Sequence, residues 1–337
     1  MWFWNKKHTI AASGILAGAT DHHSHILPGV DDGVETMDEA LRILATYETL
    51  GIKELWLTPH IMEDIPNTTK KLTARFNELK AAYTGNITLH LAAEYMIDNH
   101  LHKLIQEINS PSLQRGAVQS KPFQETPPRF RGEVVEDRRG EKKTTECLMR
   151  HELSEVTEGN QTNNCPSYVR GASDAVAEGV DITNPQEINS PSLVKREYPK
   201  GEEVETNKLL PIGSAGKHIL VETSYFTPPM RLHETLRNIK SLGYHPILAH
   251  PERYMYMEKE EYLELHEEGI KFQLNLASLA GGYGKVVKKK AEWLLKKELY
   301  SVAGSDLHCE DAIEFITGCK LGEKVIEEVT TLLQNKL

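Results

Sequence analysis

The sequence predicts a parallel α/β fold with barrel character, on two observations. Short apolar runs alternate with amphipathic stretches along most of the 337 residues, which is the rhythm of repeated strand–helix units. The residues closing those apolar runs are histidines and carboxylates. That placement favours a closed barrel over an open sheet, because barrels build their sites from the C-terminal ends of several strands.

The elements follow in order. A first short strand runs into Asp21-His22-His23-Ser24-His25, and Thr36–Leu50 reads as a helix with Met37, Leu41, Leu44 and Tyr47 on one face and Gly51 as its stop. Glu54–Leu57 and Ile87–Ala93 read as strands, as does Ile219–Val221, followed by a helix from about Pro229 to Leu242. Pro246–Ala249 is a strand, Lys259–Glu268 a helix, Phe272–Leu276 a strand and Lys285–Leu295 a basic amphipathic helix. Tyr300–Ala303 and Gly322–Leu333 supply the last strand and helix.

One stretch breaks the alternation. From about Glu107 to Asn207 the periodicity fades into Pro, Gly, Ser, Asn, Thr and charge, a composition that suits a long irregular loop. The octapeptide Gln106–Leu113 recurs identically at Gln186–Leu193. Two copies do not make a solenoid; they mark an insertion with a duplicated junction, whose repeat-flanked part is 114–193. The expected organisation is an N-terminal extension, 1–19, and a single barrel domain, 20–333, interrupted at about 107–207.

Bulk composition narrows the function. Hydrophobic residues make up 39% and can fill a core, and a net charge of -10 argues against nucleic acid as partner. No stretch approaches the roughly 20 apolar residues of a membrane helix. Ile10–Ala19 is too brief and interrupted for a signal peptide, so the expected location is cytoplasmic. Cys147, Cys165, Cys309 and Cys319 show no CxxC spacing and read as reduced thiols. None has an arginine six positions later, where Leu153, Gly171, Phe315 and Val325 stand, so a cysteine-nucleophile phosphatase is excluded.

The strand ends carry the chemistry. They close on His23 and His25, on Thr58-Pro59-His60, on Glu94, on Glu222, on His250, and on Asp306 with His308. Only the strand ending near Asn275 lacks an ionisable terminus. His23 and His25 are two apart, so on a strand both imidazoles share a face. Imidazole with carboxylate and no cysteine suits Zn, Mn or Fe. This many ligands exceeds one ion's needs and fits two or three, an arrangement suited to phosphoryl transfer. Any one histidine at a strand end is more often structural. Asp31 and Asp32 beside Gly33 are equally a turn, and Glu94 and Glu222 equally solvated termini. Recurrence at six strand ends outweighs those bland readings. His22, His90, His102, His151, His233, His245 and His266 lack such placement and read as structural or surface residues.

The run Asp21-His22-His23-Ser24-His25-Ile26-Leu27-Pro28-Gly29-Val30-Asp31-Asp32-Gly33 resembles the opening motif of bacterial tyrosine-protein phosphatases of the PHP (polymerase and histidinol phosphatase) superfamily, which regulate capsule and exopolysaccharide export. Thr58-Pro59-His60, Ala93-Glu94-Tyr95, Val221–Phe226, Ala249–Tyr254 and Gly304–His308 resemble its further motifs in order. The resemblance implies a distorted (β/α)7 TIM-like barrel with up to three divalent ions, often manganese. It places His23, His25, Glu94 and Asp306 on a first ion; Glu94 as bridge, Glu222 and His250 on a second; and Asp32, His60 and His308 on a third. Arg253 matches a position that contacts substrate phosphate, a task suited to a planar guanidinium; its bland reading is a salt bridge with Glu252. Relatives often carry a further arginine after Asp-x-His, which Cys309–Thr317 lacks.

The implied reaction is hydrolysis of phosphotyrosine by a metal-activated hydroxide, with Glu94 and Arg253 as catalytic residues. The implied substrate is the tyrosine-rich tail of a membrane-associated autokinase. The alternatives are a small-molecule phosphatase of the same superfamily, such as one for histidinol phosphate, and an inactive protein that binds the phosphotyrosine tail.

Overall fold

The computed structural model describes residues 6–109 and 209–337. Of two compact units, the larger carries the fold and site below; the smaller, 109–163, falls outside the described residues save Asn109. So do Cys147, Cys165, His151, the segment 114–193 and the second copy of the octapeptide.

The first elements are β1 (Lys7–Thr9), α1 (Ile10–Ser13), β2 (Thr20–Ser24), α2 (Met37–Leu50), β3 (Glu54–Leu57), β4 (His60–Ile61), α3 (Thr69–Ala82), β5 (Thr88–Leu91), β6 (Glu94–Met96) and α4 (Asn99–Asn109). After the undescribed stretch come β7 (His218–Glu222), α5 (Leu232–Ser241), β8 (His245–Ala249), a 3-10 turn (Pro251–Arg253), α6 (Lys259–Glu267), β9 (Lys271–Asn275), α7 (Leu276–Ala280), α8 (Gly284–Lys296), β10 (Tyr300–Gly304), α9 (Asp311–Gly318), β11 (Lys320–Gly322) and α10 (Glu323–Gln334). None of the described helices is long and apolar enough to cross a membrane.

The local sequence explains the elements. In α2, Thr36 accepts a hydrogen bond from the Glu39 amide at 3.2 Å and so caps the helix N-terminus. Ala40, Ile43, Leu44 and Tyr47 are buried on one stripe, and Gly51 ends the helix at φ 89, a left-handed turn that suits glycine. The stripe is rotated from the expected one: Met37 and Leu41 pack only at its margin. Several elements, α7 and α9 among them, were not legible in the apolar pattern. β1 pairs antiparallel with β11, α3 is a polar helix burying only Leu72 and Leu79, and α4 continues to Asn109, beyond the Glu107 boundary expected for the irregular stretch.

The strands form two parallel sheets, β10-β9-β8-β7-β6-β4 and β2-β3-β5. The expected closed barrel is not detected as one hydrogen-bonded ring. The reasons lie at two seams. The strand expected over Ile87–Ala93 is β5, which stops at Leu91, and a separate β6 begins at Glu94. Similarly, β3 and β4 are separated at Thr58-Pro59, where proline has no N–H to give a ladder; the Pro59 carbonyl still accepts from the Glu94 amide at 3.1 Å. At the other seam the β2 register shifts between Asp21 and Ser24. There the His25 amide bonds to the Leu307 carbonyl (2.9 Å) and the Asp306 amide to the His23 carbonyl (2.8 Å), joining β2 to the end of β10 without a regular ladder.

Alternation along the strands sorts the side chains. On β7, Ile219 and Val221 join the main apolar core, while Leu220 joins Trp56, Ile247 and Ala249 in a second cluster. Glu222 shares the face of Leu220 and caps that second cluster with a carboxylate. His23 and His25, two apart, both turn into the site, their Nε2 atoms 3.0 Å apart.

Candidate metal centre

The eight histidines and carboxylates singled out at strand ends, together with Asp32, meet in one site. Three overlapping groups could each hold an ion: His25, Asp32, His60 and His308; His23, Glu94, His250 and Asp306; and His60, Glu94 and Glu222. Relative to the expected grouping, His25 lies with the Asp32 set and His60 also reaches Glu222. His25 Nε2 nonetheless stands 3.0 Å from His23 Nε2 and 3.3 Å from both Glu94 and Asp306, so it borders two groups.

Glu94 is the centre. It is fully buried, and its carboxylate lies 3.2 Å from His23, 3.3 Å from His25, 3.3 Å from His60 and 3.2 Å from His250. Neither of its oxygens has a hydrogen-bond donor, and Nδ1 of His60 and of His250 is likewise unsatisfied. A buried carboxylate without donors is costly unless a cation compensates it. The donor set therefore fits divalent ions.

The electrostatics agree. Burial opposes charge on these imidazoles, but the carboxylates outweigh it: Glu222 and Glu94 carry His60 up to about 9, Glu94 and Asp306 raise His23, and Asp306 and Asp31 raise His25. Burial would likewise raise Glu94 and Asp306, yet the facing histidines, His23 foremost, hold both well below the ordinary range. His308 goes the other way, to about 4, through burial and the neighbouring His25. Such a site trades protons for metal ions.

A second ring of residues orients the first. Asp31 accepts from His25 Nδ1 at 2.9 Å and from the His60 amide at 3.0 Å. Gln273 Oε1 accepts from His23 Nδ1 at 2.9 Å, leaving Nε2 to face the carboxylates. Asp21 accepts from the Ser305 and His23 amides and from the Tyr47 hydroxyl. Asn275 donates to Asp306 Oδ2 at 2.8 Å and caps α7 through Ala277. Asp31 was visible only as half of a turn, and Gln273 and Asn275 fall on the strand that lacks an ionisable terminus. Partners of metal-binding histidines of this kind fix tautomer and ring orientation.

Arg253 does not pair with Glu252. Its Nη1 donates to Asp306 Oδ2 at 2.8 Å, while Glu252 is buried and accepts from the Asn275 amide and the Tyr300 hydroxyl. His22 turns away, its Nδ1 donating to the Ala303 carbonyl at 3.1 Å, and burial lowers it to about 4. The cysteine expectation holds for Cys319, which is free.

Two strand ends are backbone outliers. His250 has φ 32 and Asp306 φ 52, conformations that non-glycine residues hold only when their surroundings impose them, often at functional sites. Gly304 permits the β10–β2 approach: a Cβ there would meet His23 Cβ at 2.5 Å and His23 N at 2.7 Å.

A mixed α/β fold with parallel strands ending in this cluster defines a candidate polynuclear metal protein. The chain belongs to the family described as capsular polysaccharide synthesis, CpsB/CapC, which it matches over residues 19–118 and 160–316. It is similar to the tyrosine-protein phosphatase CpsB of Streptococcus pneumoniae, 33% identical over 112 residues, covering 31% of this chain and 46% of that protein. It is also similar to the tyrosine-protein phosphatase YwqE of Bacillus subtilis (strain 168), 29% identical over 133 residues, 36% of this chain and 52% of that one. The chain thus spans about half the length of the curated relatives it matches. Its fold is similar to a solved structure from a study of YwqE from Bacillus subtilis and CpsB from Streptococcus pneumoniae, described as unique metal-dependent tyrosine phosphatases. The TM-score is 0.53 at 16% identity, with 94% of each chain covered.

Proposed function

We propose that this chain is a metal-dependent protein-tyrosine phosphatase. The carrying observation is Glu94, a buried carboxylate without hydrogen-bond donors, set among four imidazoles. Family membership and the names of its relatives support the same reading. In it, the two parallel sheets act as one distorted (β/α)7 barrel, and the nine clustered residues hold up to three ions, manganese foremost. Asp32 is the most exposed of the carboxylates around these histidines, with 47% of its side chain accessible, and marks the side that substrate approaches.

Divalent ions bound there supply Lewis acidity, which polarises phosphoryl oxygens and lowers the pKa of water. The chain's own residues do the rest. Glu94, common to two of the candidate groups, would be shared between two ions. Asp31 and Gln273 hold His25 and His23 with Nε2 turned inward. Arg253 offers edge N–H groups to the phosphoryl oxygens. The leaving group is a phenolate whose parent pKa is about 10, so the demand for a general acid is modest. The physiological substrate in this reading is the tyrosine-rich tail of an autokinase controlling capsule export, met in the cytoplasm. The experiment is turnover of a phosphotyrosyl peptide beside histidinol phosphate by the Mn-loaded protein. Preference for the peptide supports the proposal; preference for the small molecule, or binding without turnover, replaces it.

A further inference from the structure

Arg253 stands where two tasks meet. Its guanidinium carbon lies 4.2 Å from the Tyr225 ring centroid and 4.1 Å from that of Tyr283, so aromatic faces flank it, an arrangement that suits a planar cation and not an ammonium. Its side chain is only 12% exposed. With its faces covered, it can bond only through its edge. Part of that edge, Nη1, is already given to Asp306 Oδ2.

Asp306 is divided in turn. Oδ2 is held by Arg253 and Asn275, each at 2.8 Å, while Oδ1 faces His23 at 3.4 Å and His25 at 3.3 Å. The Tyr283 hydroxyl lies 3.3 Å from the same Asn275 amide. One carboxylate thus links the imidazole cluster to the guanidinium, and its left-handed backbone, φ 52, leaves that pose to its partners.

We propose that Tyr225 and Tyr283 are positioning residues that clamp Arg253, so that one part of its edge fixes Asp306 toward the metal ions while the remainder receives a phosphoryl oxygen. Metal retention and phosphate binding are then coupled through one side chain. The coupling is reciprocal, because linkage between binding free energies has no direction. This inference rests on the metal-and-phosphate reading above.

The test uses the full chain stripped of metal. Mn2+ affinity is measured by calorimetry, inorganic phosphate affinity on the Mn-loaded protein, and melting temperature on both forms, for Tyr225→Leu, Tyr283→Leu and their Phe counterparts. The Leu variants are expected to lose about tenfold or more in both affinities, within the range seen when orienting partners of metal ligands are removed. The Phe variants keep the aromatic faces and should stay near wild type. Arg253→Lys, which keeps charge without a planar fork, serves if a Leu variant does not fold, and should lose both affinities as well. Wild-type binding of Mn2+ and phosphate in the Leu or Lys variants overturns the clamp, as do Phe variants as impaired as Leu. Failure of the wild-type chain to bind Mn2+ at all instead overturns the reading on which the clamp rests.

Discussion

The carboxylate of Asp31 lies 2.9 Å from Nδ1 of His25, and the same oxygen accepts from the His60 amide at 3.0 Å. Asp31 therefore orients one imidazole and anchors the backbone of another, although it is in none of the candidate ligand groups.

Asp31→Asn should weaken metal binding by about 10- to 100-fold, the usual range for losing such a partner, with a parallel fall in kcat. Metal content after dialysis against limiting Mn2+ is the measurement. Unchanged content would return Asp31 to the turn-forming role of its Asp-Asp-Gly sequence.

Glu94→Gln should damage metal content and turnover far more than His22→Ala. Glu94 faces four imidazoles with no other donor, whereas His22 donates to the Ala303 carbonyl, away from the cluster. His22→Ala should instead lower stability by about 1–3 kcal/mol, leaving a buried carbonyl unpaired. Equal losses of metal in the two variants would refute the central place of Glu94.

In the metal-free protein, stability should depend on pH in two directions. His60, raised to about 9 against an unfolded value near 6.5, stabilises the fold fully below about pH 6.5 and ceases to as pH rises through about 9. His23 and His25 act in the same direction. Glu94 and Asp306, both lowered, stabilise above about pH 4 and lose that contribution as pH falls below it. Metal ions must displace the histidine protons, so Mn2+ affinity should rise between about pH 6.5 and 9, with proton release visible in buffers of different ionisation enthalpy. A flat affinity across that range would contradict this electrostatic picture.

Most strand ends of the site were readable because an apolar run followed by His, Glu or Asp is a local signal. His60, Glu94, Glu222, His250 and Asp306 all carry it. The orienting residues were not readable, since Gln273 and Asn275 are neutral and gain meaning only when β9 is brought beside β2 and β10. The partner of Arg253 was not readable for a similar reason: Glu252 is adjacent in sequence, yet its side chain is turned to Asn275 and Tyr300, while Asp306 arrives from a distant strand. The strand–helix rhythm of a parallel α/β fold was legible, but the seams at Thr58-Pro59 and Asp21–Ser24 were not, because they depend on which amides find partners across strands.

Deleting Gln114–Leu193, which leaves one copy of the octapeptide, should preserve folding, metal content and turnover. All nine clustered residues lie outside it, and the family match itself is interrupted between residues 118 and 160. Loop-closure entropy changes by only about 0.6 kcal/mol per doubling of loop length, so removal should alter stability little. Retained folding with lost turnover would make the segment a lid, and lost folding would make it part of the core.

The central claim is that metal ions held at Glu94 drive phosphotyrosine hydrolysis without a cysteine nucleophile. The most direct measurement is turnover of a phosphotyrosyl peptide by the full chain before chelation, after exhaustive chelation, and after Mn2+ is restored, with bound metal quantified at each stage. Activity should vanish with the metal and return with it, and substitution of all four cysteines by serine should leave it largely intact. Turnover that survives removal of all bound metal, or that dies with one cysteine, would contradict the claim.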